Sequence, residues 1–236
     1  MKKVLVLLVV IQLVSCAELQ NVVNNLPTSG GALSQEQIGK GLKQALGNGI
    51  SNQVSKLTAK NGFLSNELVK IAMPSELQSV ERALRKIGLG GLADEGVKAL
   101  NNAASDAVKT ATPIFVNAVQ NMSFADAKNI LLGEDNAATN YLQANTKQSL
   151  YQSFTPVINN SFSKVGADKV WSNLITKYNA IPFVKQVNPD LIDYVTNQAL
   201  QGVFTMIEIE EKGIRQKSAL RNTALLKQVF ALQDGK

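Results

Sequence analysis

Beyond residue 34 the apolar residues of this chain recur at helical spacing in nearly every stretch, and they scarcely alternate as a half-buried strand requires. The last third is the clearest case. Leu191, Val195, Ala199, Gly202, Val203, Met206 and Ile207 share one face of a helix ending near Gln216. A shorter helix over about 219–231 follows, carrying Leu225, Leu226, Val229 and Phe230. An apolar stripe on one helix must be covered by another, so the pattern predicts an all-α fold. The expectation is an irregular multi-helix bundle of about eight to ten helices with short connectors.

The punctuation between stripes places the rest. Ser34-Gln35-Glu36-Gln37 has the form of a capping box and opens a helix over about 35–60, which Asn61-Gly62 stops. Residues 67–73 read as a short extended segment, because Pro74 disfavours helix at Met73. Ser75 caps a helix to about 87, and another over about 93–110 presents Val97, Leu100, Ala104, Ala107 and Val108. Thr112-Pro113 opens a largely buried helix with proline at its first position. Ser123 to Asp126 repeats the capping logic, Asn136 caps a helix over about 137–154, and Thr155-Pro156 restarts it toward Gly166. A helix over 167–179 and a connector over 180–187 follow. Asn188-Pro189-Asp190 then gives a cap, a proline at the first position and an acid in the first turn of the long helix.

The single cysteine, Cys16, sits at the end of a different kind of segment. Lys2-Lys3, an apolar run from Val4 to Leu13 and a small-residue ending have the layout of a signal peptide over 1–15. The run is too short to cross a bilayer, which needs roughly 20 apolar residues. Leu13-Val14-Ser15-Cys16 resembles the lipobox of bacterial lipoproteins. That resemblance implies that Cys16 is the lipid attachment site and the first residue of the mature chain. Fatty chains such as palmitate contribute about 0.8 kcal/mol per buried CH₂, so two or more hold a protein stably on a membrane. Ala17 follows, not an aspartate resembling an inner-membrane retention signal, which favours the outer membrane facing the periplasm. Leu19, Val22, Val23 and Leu26 could form one amphipathic turn, and Pro27 to Gly31 reads as a tether. From Pro27 to Leu33 it spans at most roughly 25 Å. The lipidated N-terminus and tether thus occupy 16–33, and a single helical domain 34–236.

Composition narrows the function. With Cys16 acylated no disulfide is possible, and the domain must rest on packing. The absence of histidine excludes Ser-His-Asp and Cys-His chemistry and the usual zinc sites. The formal charge of +6 loses two units with Lys2 and Lys3 and forms no long basic run, so nucleic acid is not an expected partner.

Ile71-Ala72-Met73-Pro74, Leu84 to Gly90, Gly133-Glu134-Asp135-Asn136-Ala137-Ala138-Thr139-Asn140-Tyr141, Asp193-Tyr194-Val195, Ala199 to Phe204, Glu211-Lys212-Gly213-Ile214-Arg215 and Leu225 to Phe230 occur in this order. In them the chain resembles the bacterial family catalogued as domain of unknown function 4197. The resemblance covers nearly all of the domain from Ser34 and implies an exported helical domain with no established activity.

Two constellations invite a chemical reading. Residues 133–139 could present helix N–H groups to an anion, but Glu134 and Asp135 would repel a phosphate; a C-cap followed by an N-cap is the preferred reading. Glu208 with Lys212 and Glu211 with Arg215 are spaced i, i+4 with the acid first, the favoured orientation of a structural ion pair, and Arg215 could tie the terminal helix to the long one. The chain therefore reads as a non-catalytic envelope lipoprotein with no cofactor or metal, acting through the membrane and an envelope protein partner. The alternative is a carrier or sensor of an apolar ligand held between helices.

Overall fold

The long helix anticipated from Leu191 onward is present and packs against three of the other helices. The computed structural model describes residues 33–234 except 87, 89, 181, 184–185 and 187–189. The leader, Cys16 and the tether as far as residue 32 lie outside the described residues. Among those described, nine α-helices and two 3-10 turns follow one another and no strand occurs. The fold is an all-α multi-helix bundle. The helices are α1 (Gln35–Thr58), α2 (Gln78–Lys86), α3 (Gly90–Val108), α4 (Ala111–Gln120), α5 (Phe124–Leu132), α6 (Ala137–Lys164), α7 (Ala167–Asn179), α8 (Leu191–Gln216) and α9 (Ala224–Ala231).

Helix α8 packs against α6, α1 and α3, while α9 lies on α1. Its predicted face is buried as expected: Val195, Ala199, Gly202, Val203, Met206 and Ile207 are all interior. Phe204 adds an edge-to-face contact with Phe115 of α4, ring centres 6.0 Å apart. The helix begins two residues later than the proline pattern implied. Asp190 is itself the cap, its carboxylate accepting from the N–H groups of Ile192 (3.1 Å) and Asp193 (2.9 Å). Asn188 and Pro189 lie outside the described residues.

Proline was misread twice. Thr155-Pro156 does not restart a helix: α6 runs unbroken over 28 residues with Pro156 inside it. An interior proline costs about 3 kcal/mol. Phe154 and Ile158, both fully buried, hold the flanks in register, and the Thr155 hydroxyl donates to the carbonyl of Tyr151 at 2.8 Å. Pro113 is the third residue of α4, which starts straight from the two-residue turn after α3. That helix is amphipathic rather than largely buried, with Phe115 interior and Val116 exposed. Helix α3 begins three residues earlier than its periodicity indicated. Ser75 is the first residue of a 3-10 turn, Ser75–Leu77, that leads directly into α2, and the residue in the cap position is Pro74. The capping box at Ser123 and Asp126 is present in both directions.

The segment 67–73 is a turn at 67–69 followed by irregular chain. Its buried backbone is nonetheless paired as a strand would be. Asn101 of α3 accepts from the Ile71 N–H through Oδ1 and donates to the Ile71 carbonyl through Nδ2, both at 2.8 Å. One side-chain amide thereby replaces a neighbouring strand, satisfying groups that would be costly to bury bare. After α1 the reversal uses Asn61 at φ 61°, and Gly62 lies so close to the carbonyls of Lys56 and Leu57 that a Cβ has no room there. Gly202, on the core face of α8, is closely approached by a loop and not by another helix. A Cβ there would stand 2.7 Å from Phe63 Cε1 and 3.3 Å from Val69 Cβ, so the partner is the loop after α1.

Candidate functional site

Helices α5 and α6 meet at a tight reversal, and each end exposes backbone groups with no partner inside its own helix. The first N–H groups of α6 need acceptors and the last carbonyls of α5 need donors. Asn136 does not serve the former, since its side-chain oxygen makes no cap bond and accepts from Asn140 instead.

Glu211 of α8 serves them. Its Oε1 accepts from the Ala138 N–H at 2.9 Å, and its Oε2 from the Thr139 N–H and hydroxyl, both at 2.8 Å. These are the two N–H groups that a capping side chain ordinarily satisfies, and a carboxylate there also complements the helix dipole. One turn on, Arg215 donates to Glu211 Oε1 through Nε (3.0 Å) and Nη2 (2.8 Å). Its remaining N–H groups reach the carbonyls of Ile130 (2.7 Å) and Leu131 (3.3 Å) at the end of α5, and Gln233 Oε1 at 2.8 Å. All five guanidinium hydrogens have acceptors.

Both side chains are almost wholly buried, at 6% and 4% exposure. The sequence-level reading of Glu211 and Arg215 as a pair holds, but they do not form the weak exposed pair that its spacing implied. In a dry interior the two charges compensate each other and the removal of either leaves the other stranded. Glu208 and Lys212 do form such a surface pair, 2.6 Å apart and partly exposed. The hydrogen bond and charge of Glu208 raise the Lys212 pKa. The helix N–H groups that the reversal at residues 133–139 could have offered to an external anion are thus taken by a carboxylate of the chain itself, and the capping group is Glu211, not Asn136.

A second arginine, which sequence reasoning passed over, extends the network. Arg221 donates to the carbonyls of Ile214 (3.0 Å) and Arg215 (2.7 Å) at the end of α8, lies 5.6 Å from the Phe230 ring centre, and is clasped by both oxygens of Asp234. The hydrogen bond from Arg221 holds the Asp234 carboxyl below its usual pKa. Arg215 therefore ties the C-terminal segment to α8, and chiefly ties α5 to it. The one sequence signal for Arg221 was a cation shortly past a helix end.

Beside this node an apolar hollow is lined by Leu42, Leu46 and Ile50 of α1, Ile207 and Ile214 of α8 and Phe230 of α9. Its volume is about 30 Å³, room for about one water molecule. At its edge Gln53 donates to Glu210 Oε2 at 2.7 Å, while its buried Oε1 has no partner among the described residues. Among the described residues, no group of three or more His, Cys, Asp or Glu side chains is placed to hold a metal ion, and no helix is long and apolar enough to cross a membrane. Cys16 lies outside the described residues.

Comparison with curated proteins and with solved structures gives no match. The model of a family described as "Protein of unknown function (DUF4197)" matches residues 32–231, and the chain belongs to that family.

Proposed function

We propose that this chain is a bacterial envelope lipoprotein, held to a membrane through lipid on Cys16 and acting by contact rather than by catalysis. The observation that carries the reading is the sequence at the start: a basic pair, a ten-residue apolar run and Leu-Val-Ser-Cys, with no other cysteine in the chain. The non-catalytic half rests on how the buried charges are used. Glu211 accepts five hydrogen bonds and Arg215 donates five, all within the domain, so these two buried side chains are committed to holding α5, α6 and α8 together. A general acid needs a group free to exchange its proton with a substrate. The contact reading is preferred over the apolar carrier because a ligand pocket commonly occupies about 300–1,000 Å³, well above the hollow between α1, α8 and α9.

The anchor is tested by comparing the parent with Cys16→Ala in cells fed labelled palmitate. The expected result is that the variant loses the label and leaves the membrane fraction. Label and attachment both retained by the variant would refute the anchor. Crosslinking of the anchored protein in intact cells then identifies what it touches.

A further inference from the structure

At the end of the bundle away from Gln35, the close of α1, the second half of α3 and the close of α6 surround a cleft of about 510 Å³. Its charged residues are Lys60, Lys98, Lys109, Lys164 and Asp106. Asp106 is spoken for, 2.7 Å from Lys109 Nζ and accepting from the Ser161 hydroxyl at 3.1 Å. Lys60, Lys98 and Lys164 have no ion-pair or hydrogen-bond partner among the described residues. Three lysines without a direct ion pair among the described residues thus line one concave site, with Asn102 and Ser105 on its wall as neutral hydrogen-bonding groups.

A lysine near a helix end can serve only to cap it, and this domain contains an example: Lys43 Nζ donates to the Gln120 carbonyl at the end of α4, at 2.8 Å. The three lysines of the cleft make no such bond, although α1, α3 and α6 all end close by. Their charge is left facing solvent in a hollow large enough for a small ligand. An ammonium is a compact point charge that suits phosphate without the planar pairing that arginine gives a carboxylate. Three of them match a ligand carrying more than one negative charge.

We propose that this cleft binds a multiply charged phosphate group. The phosphate can belong to a soluble phosphoester or pyrophosphate, or to a lipid headgroup. The proposal rests on the cleft alone and holds whether or not Cys16 carries lipid.

The test is titration of the full chain with inorganic pyrophosphate, followed by the same titration of Lys60→Gln/Lys98→Gln/Lys164→Gln. A control of equal charge is Lys128→Gln/Lys147→Gln/Lys227→Gln, exposed lysines outside the cleft. The cleft variant is expected to bind about tenfold or more weakly and the control within about twofold of the parent. Melting midpoints of all three confirm that each is folded. Sedimentation of the Cys16→Ala chain with phosphatidylcholine vesicles that contain phosphatidic acid, a phosphomonoester, against phosphatidylcholine alone, separates the sources: a headgroup ligand gives cleft-dependent sedimentation, a soluble one gives pyrophosphate binding without it. Absence of saturable binding to both probes overturns the proposal. So does an equal loss in the control variant, which would show attraction to net charge alone.

Discussion

Glu211 and Arg215, one turn apart on α8, hold opposite ends of the same chain reversal. The carboxylate takes the N–H groups that open α6, and the guanidinium takes the carbonyls that close α5. A single turn of one helix thus fixes the relative position of two others, and the two charges bind each other across it.

Replacing Glu211 by alanine therefore removes a helix cap and strands a buried guanidinium at once. The expected cost is about 3 to 5 kcal/mol, the range for breaking a buried pair. Arg215→Lys keeps the charge but cannot serve four acceptor groups, and should fall between that variant and the parent. Urea midpoints measure both. A Glu211→Ala midpoint equal to the parent's would show that water reaches the node.

Asn101→Ala leaves the Ile71 N–H and carbonyl buried without partners. The expected loss is about 1 to 3 kcal/mol, with hydrogen exchange at the Ile71 amide accelerated more than at amides within α6. An unchanged exchange rate at Ile71 would mean that the amide has another acceptor.

Gly202→Leu must displace Phe63 or Val69, and overpacking of this kind costs about 1 to 3 kcal/mol. Phe63→Leu combined with Gly202→Ala should recover stability relative to Gly202→Ala alone, because the smaller side chain vacates the space. If the two changes simply add, the clash is not with Phe63.

Asp234 makes part of the stability depend on pH. Arg221 holds its carboxyl below the usual range, so its folded pKa lies below its unfolded one. Such a group stabilises the fold fully above the unfolded value, about 3.9 for aspartate, and ceases to do so as pH falls through the folded value. Asp234→Asn should accordingly be less stable than the parent near neutrality, and the gap in urea midpoint should close below about pH 4. A gap of constant size down to strongly acid pH would mean that the carboxylate's charge is not what Arg221 uses.

Element type was legible in the sequence because it follows from a local period. The span 167–179 was read as it stands, and every residue named for the α8 core face is buried. What sequence missed were features set by partners far along the chain. Pro156 reads locally as a break, and only the burial of Phe154 and Ile158 against other helices overrides it. Glu211 and Arg215 were legible as a pair from their spacing. That their partners are Thr139 and Ile130, more than seventy positions away, is a property of the packed core. Arg221 and Asn101 belong to the same class, polar side chains whose importance lies in the backbone groups they meet.

The place of α8 in the chain also sets an order of events. The helix that α1, α3 and α6 share as a neighbour begins only at Leu191. A polypeptide made from its N-terminus can pack α3 on α6, but it lacks the helix on which α1, α3 and α6 converge until its last fifth has emerged. Until then their apolar faces remain without their common partner, and the reversal between α5 and α6 lacks both of its clamps.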